Sequence, residues 1–296
     1  MVDGQERVYV GTGINTTRTP GTENFRDFYY CYVSNQNPDP KEYVYSTKWS
    51  NPLGVAPMPE EAGGRNGAVA FSLNGKGYVG LGRNNEGWHN DFWCFDPAGT
   101  WTDDKGMVYE GSWSRVASPQ TGSLKYAISF VMKDPKDGKE YAYVGTGEDE
   151  EGNSTCKFYR FDGETWSEEK DCITPRKYAS AVVANGYASG ERTAGEPAVH
   201  EYVYLIGGCA ADDEIKVERY NPYTHSWEKS LLGSLKADRN MFASASFVLG
   251  DSENDADCKQ RIYIITGGLY SASNKMWEFN PYTESWKELG TARDIN

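Results

Sequence analysis

Arginine recurs at one register of this sequence. Arg65, Arg176 and Arg239 each open a run of small residues, and Arg293 repeats the pattern near the end of the chain. Polar neighbours travel with them: Asn66, Lys177 and Asn240 follow directly, and Lys125 stands at the matching place in a unit without the arginine. Converging guanidinium forks hold a carboxylate by paired hydrogen bonds, and aromatic rings pack against the apolar faces of a sugar. Loops after glycine-ended segments add Arg18, Asn84, Trp88 and Tyr270. Arg65, Asn66, Arg176, Lys177, Arg239, Asn240, Arg18, Asn84, Trp88 and Tyr270 make a candidate set for binding a glycan or a protein ligand. The competing reading is that the arginines are structural, holding connections between strands through hydrogen bonds to carbonyl oxygens.

Other chemistries find little support. The histidines are His89, His200 and His225, and no Cys-x-x-Cys occurs, so no metal site and no cofactor are expected. Gly80-Leu81-Gly82 and Gly145-Thr146-Gly147 lack the third glycine and the following helix of a dinucleotide loop. The acidic run Asp251–Asp257 has neither the glycine nor the closing glutamate of a calcium loop. Two further acidic runs, Glu148–Glu151 and Asp212–Glu214, are either solvated rims or attractors of a basic partner. Cys156 and Cys172 flank a segment that predicts a hairpin about Asp162-Gly163, which sets the two cysteines nearly opposite. They are a candidate disulfide or two free thiols, and a bridge would mean an oxidising compartment.

The elements that must position these residues are legible as repeats. A tyrosine strand ending in glycine occurs five times, at Val8–Gly13, Gly77–Gly82, Ala142–Gly147, Val203–Gly208 and Ile262–Gly268, about 60 to 70 residues apart. An aromatic strand and then a tryptophan follow each one: Trp49, Trp113, Trp166, Trp227 and Trp286. Upstream of all but the first lies a strand alternating Ala or Ser with larger residues, as in Arg65–Phe71 and Arg176–Val183. Small side chains at period two suit inner strands that crowd together where sheets converge.

These motifs resemble the kelch repeat family over essentially the whole chain. The glycine doublet stands at Gly207-Gly208 and Gly267-Gly268, whereas Thr12, Leu81 and Thr146 replace its first glycine in the other units, a variant similar to bacterial cell-surface members. The resemblance implies an all-β, kelch-type β-propeller of four-stranded antiparallel blades, one domain over 1–296. Blades are expected at 1–60, 61–120, 121–172, 173–235 and 236–290, and 291–296 reads as the start of a further inner strand. Val8 begins a second strand, so the resemblance implies a closing inner strand missing from this sequence and a ring of five or six blades.

In such topology the second-to-third strand loops share a face with the inter-blade connections. His89 then lies on one face and His200 with His225 on the other, which separates them as metal ligands. The resemblance implies a non-catalytic recognition module. The alternatives are a sugar mutarotase of the sialic-acid kind, with Arg65, Arg176 or Arg239 and Glu86 in its site, or a scaffold domain of a larger surface protein. An extracytoplasmic home is expected, although Met1–Glu6 shows no leader.

Composition agrees. The chain has 296 residues with 21 Tyr, 9 Trp and 32 Gly, enough aromatic content to form a core and enough glycine for many turns. A net charge of −13 argues against a general nucleic-acid binder, and the sequence has no run of apolar residues long enough to span a membrane.

Overall fold

The computed structural model describes residues 7–14, 24–32, 54–188, 190–208, 217–229, 245–250, 259–265 and 275–291. The fold is all-β. A two-stranded sheet pairs β1 (Arg7–Gly11) with β2 (Phe28–Tyr32). Four sheets follow, each of four antiparallel strands in chain order, the blade unit of a β-propeller. They are β3 (Val69–Leu73), β4 (Lys76–Gly80), β5 (Phe92–Thr102) and β6 (Val108–Val116); β7 (Ile128–Lys133), β8 (Glu140–Gly145), β9 (Phe158–Phe161) and β10 (Trp166–Glu169); β11 (Ser180–Tyr187), β12 (Val199–Ile206), β13 (Val217–Asn221) and β14 (Ser226–Lys229); and β15 (Ala245–Leu249), β16 (Arg261–Ile265), β17 (Lys275–Asn280) and β18 (Ser285–Thr291). Among the described residues the sole helix is a 3-10 turn, Glu60–Ala62.

One cross-strand pair repeats between first and second strands. Phe71 faces Tyr78, Phe130 faces Tyr143 and Phe247 faces Tyr263, each pair stacked with centroids 4.8 to 5.5 Å apart. Val182 takes the aromatic's place opposite Tyr204. Such pairs add about 0.5–1.5 kcal/mol beyond their burial, which explains the tyrosine that recurs in the sequence.

The chain forms two compact units, Met1–Lys125 and Tyr126–Asn296. In the first, Phe28, Val55, Met58, Val79, Trp93 and Phe95 bury between the two-stranded sheet and the first four-stranded one. Trp113 packs on Phe28 and Phe95, and its indole N–H donates to the Ala56 carbonyl at 2.9 Å.

In the second unit the sheets stack face to face. Phe130, Tyr143 and Phe158 meet Val203, Leu205, Tyr220 and Trp227. Tyr202, Tyr204 and Ile206 meet Ile262, Ile264 and Phe279. Trp227 packs on Phe158 at 4.7 Å and donates to the Lys170 carbonyl at 3.1 Å, so this tryptophan strand pins the preceding sheet. The inner strand β11 lies beside β7 and β15, and the Ser180 and Ser246 hydroxyls hydrogen-bond across one of those seams. Small residues are required there by the crowding that the sequence implied.

Candidate functional site

The candidate residues divide by environment. Arg65 is fully buried. Its Nη1 and Nη2 grip the two Asp91 oxygens at 2.7 and 3.2 Å, Nη1 also reaches the Leu81 carbonyl at 3.3 Å, and Nη2 meets the Ala62 carbonyl. Burial pushes the Asp91 carboxyl up, but Arg65 and the Trp93 indole outweigh it and the net shift is down. Arg176 repeats the arrangement. It pairs with Glu218, both side chains 1% exposed, and donates to the Gly207 carbonyl at 3.1 Å and the Thr174 carbonyl at 3.2 Å. At these two positions the guanidiniums are enclosed and hold strand connections through carbonyl oxygens, the structural alternative that the sequence also offers. Each arginine is spent clamping the turn that ends its own blade's second strand to an acid at the start of the third.

Both candidate asparagines of the first unit, Asn66 and Asn84, also serve the loops. Asn66 donates to Arg83 O at 3.1 Å and Asn24 Oδ1 at 2.8 Å, and Asn84 Oδ1 accepts the Glu86 and Gly87 N–H groups at 2.9 and 3.0 Å. Their reward is a rigid scaffold: Asn66 bridges to Arg83, and Arg83 bridges to Trp88, in a short antiparallel ladder. Trp88 is half-buried and carries cations over its ring, the Arg83 guanidinium at 5.8 Å and the Lys125 ammonium at 4.9 Å from the centroid. Next to it, burial and the Arg65 charge push the His89 imidazole below its ordinary value, so it is neutral near pH 7.

In the second unit Lys177 Nζ meets Glu148 and the Gly152 carbonyl, the latter at 3.2 Å. Asp149 Oδ1 accepts the Glu151 and Asn153 N–H groups at 3.0 and 2.8 Å. The Glu148–Glu151 run is thus a turn knit by its own backbone and capped by a lysine. Sequence reading overlooked Tyr126 and Tyr178, whose rings stack at 4.0 Å at equivalent places beside Lys125 and Lys177. Both have left-handed backbones, φ 56° and 59°, matching Gly67 at 65°. That glycine was the available signal.

Arg18, Arg239, Asn240 and Tyr270, and the Asp212–Glu214 and Asp251–Asp257 runs, lie outside the described residues. The hairpin reading placed Cys156 and Cys172 opposite one another, and Cys172 N–H indeed donates to Cys156 O at 2.9 Å. No bridge joins them in this structure: both are free thiols. Cys172 Sγ donates to the Thr174 carbonyl at 3.3 Å instead, and burial pushes its pKa up, which keeps the thiol protonated. His200 is buried against Glu196 at 3.0 Å and stacks on Tyr202, and His225 sits between Asp134 and Glu169 at 3.2 and 3.3 Å. Among the described residues no group of His, Cys, Asp and Glu has metal-binding geometry.

The fourth sheet combines a Gly207-Gly208 turn at φ 66° and 87°, the Arg176 clamp and the inward Trp227. The Kelch motif matches residues 197–230. This supports a kelch-repeat family for the chain, and the matched segment includes β12, β13 and β14. No curated protein matches the sequence. Glu218 and the Gly207 carbonyl, which Arg176 holds, lie inside the matched residues while Arg176 itself precedes them, and a second such clamp stands at Arg65, where the motif does not reach. Among the described residues no helix is long and apolar enough to cross a membrane.

Proposed function

We propose that the chain is a non-catalytic recognition module, taking a glycan or protein ligand on the face that carries the inter-blade connections and second-to-third strand loops. The observation that carries this is Trp88, a partly exposed indole flanked by Arg83 and Lys125 and held by the Asn66 ladder. An aromatic plane with two cations beside it suits a carboxylate-bearing partner, either an acidic sugar or an acidic peptide side chain on an apolar stem. A kelch-type fold is compatible with such a role. The mutarotase reading has less support, because it needs a guanidinium open to the sugar carboxylate and Arg65 and Arg176 are enclosed in ion pairs.

Wild-type protein and Trp88→Ala, screened side by side on a glycan array and by affinity capture, test the proposal. The expected result is a specific ligand whose affinity falls about tenfold or more in the variant. A ligand bound equally well by Trp88→Ala moves the site elsewhere, and no specific ligand in either screen leaves the scaffold reading standing.

A further inference from the structure

A cavity of about 330 Å³ opens between the two sheets of the first unit, at the strand ends opposite Trp88. Its walls are aromatic. Tyr9, Phe28, Phe95 and Trp113 form a tilted network with centroids 5.0 to 5.2 Å apart, and Phe71 stacks on Tyr78 at 5.1 Å. A polar depression adjoins it, sharing Arg7, Gly75 and Lys76 and adding Asp96 and Glu110. The turn between β3 and β4 leaves the mouth open, because Gly75, at φ +76°, has no neighbour within 4 Å of where a Cβ would stand.

Charge decides what such a cavity would hold. Arg7 Nη1 donates to Glu110 at 2.8 Å with its guanidinium 4.5 Å above the Tyr30 ring, and Lys76 Nζ lies 3.2 Å from Asp96. Each cation therefore has a carboxylate beside it, and the rim is neutral overall with donors alternating with acceptors. An anionic ligand would meet two carboxylates, and a wholly apolar one would strip water from two ion pairs without replacing it. A hydroxylated ring satisfies both halves. Its C–H face lies on the aromatic walls, and each hydroxyl can accept from Arg7 or Lys76 while donating to Asp96 or Glu110. We propose that this cavity is a second binding site, separate from the Trp88 face, for a neutral hexopyranoside.

Saturation-transfer NMR on the whole chain, with the methyl glycosides of glucose, galactose and mannose at about 10 mM, reads the weak affinity expected of one sugar ring. Two variants probe the site. Gly77→Val puts a side chain into the cavity, since a Cβ there stands at ordinary contact, 3.7 Å, from Phe95. Lys76→Met removes an exposed donor without touching the core. At least one glycoside should receive saturation, with affinity about tenfold weaker in each variant and unchanged in Trp88→Ala. Should Gly77→Val not fold, Lys76→Met alone carries the test. The proposal is overturned by silence from all three glycosides with wild-type protein, by binding that survives the cavity variants, or by binding that Trp88→Ala abolishes.

Discussion

Thr12, Leu81 and Thr146 stand where the doublet's first glycine would be, and all three have left-handed backbones, φ 62°, 59° and 57°, beside Gly207 at 66°. Backbone shape is thus kept where the glycine is not. A non-glycine residue there carries about 1–2 kcal/mol of strain. Thr146 adds a second cost, because it is fully buried and its hydroxyl has no partner in the structure. Glycine at this position relieves both and gives up the β-carbon, the methyl group and some unfolded-state entropy, of order 0.5–1 kcal/mol each. Thr146→Gly should therefore stabilise the protein by about 1 kcal/mol, read as a higher urea midpoint at unchanged m-value. A lower midpoint would mean that the methyl group matters more than the strain. The sequence already showed these three positions as a variant of the doublet, because the retained glycine, at Gly13, Gly82 and Gly147, keeps the register visible.

Elements were legible wherever their signal is local. The tyrosine strand ending in glycine, the Asp-Gly hairpin turn and the tryptophan strand each lie within one or two strands, and the tyrosine and tryptophan strands are present in all four of the four-stranded sheets. The partners of the arginines were not legible. Asp91 lies 26 residues from Arg65 and Glu218 lies 42 from Arg176, so only the pairing of third strand to second brings them together. An open, ligand-seeking arginine and a buried clamp look alike in sequence, and what separates them is a carboxylate that the fold supplies. The clamp makes its own prediction. Removing one partner of a buried pair leaves an uncompensated charge, so Arg176→Met should destabilise by about 3–5 kcal/mol, and Arg176→Met with Glu218→Gln should recover part of it. Equal urea midpoints for wild type and Arg176→Met would show that the pair is not clamping the blade.

At the scale of the whole molecule, 43 acidic against 30 basic side chains set two effects against each other as pH falls. Protonation relieves self-repulsion, which favours the compact state. It also discharges carboxylates that the fold holds ionised. Glu196, where burial is outweighed by hydrogen bonds from Thr193, Asn221 and His200, titrates at about 2 against an ordinary 4.5, and Asp91 is likewise depressed. A group depressed in the folded state contributes stability that is full above its unfolded pKa and lost as pH falls through its folded one. His89, a base depressed by burial, behaves in the same direction, and its share fades below its ordinary 6.5. Exposed charges farther apart than about 8 Å are screened at physiological ionic strength, whereas partly buried pairs are screened much less. The buried groups should win. Stability should hold from neutral pH down to the His89 range, slope gently below it and drop steeply below about 4.5. Urea titrations across that range check it, and Glu196→Gln should flatten the steep limb while leaving the gentle one. A midpoint that rises on acidification would show instead that the −13 charge governs the fold's response to pH.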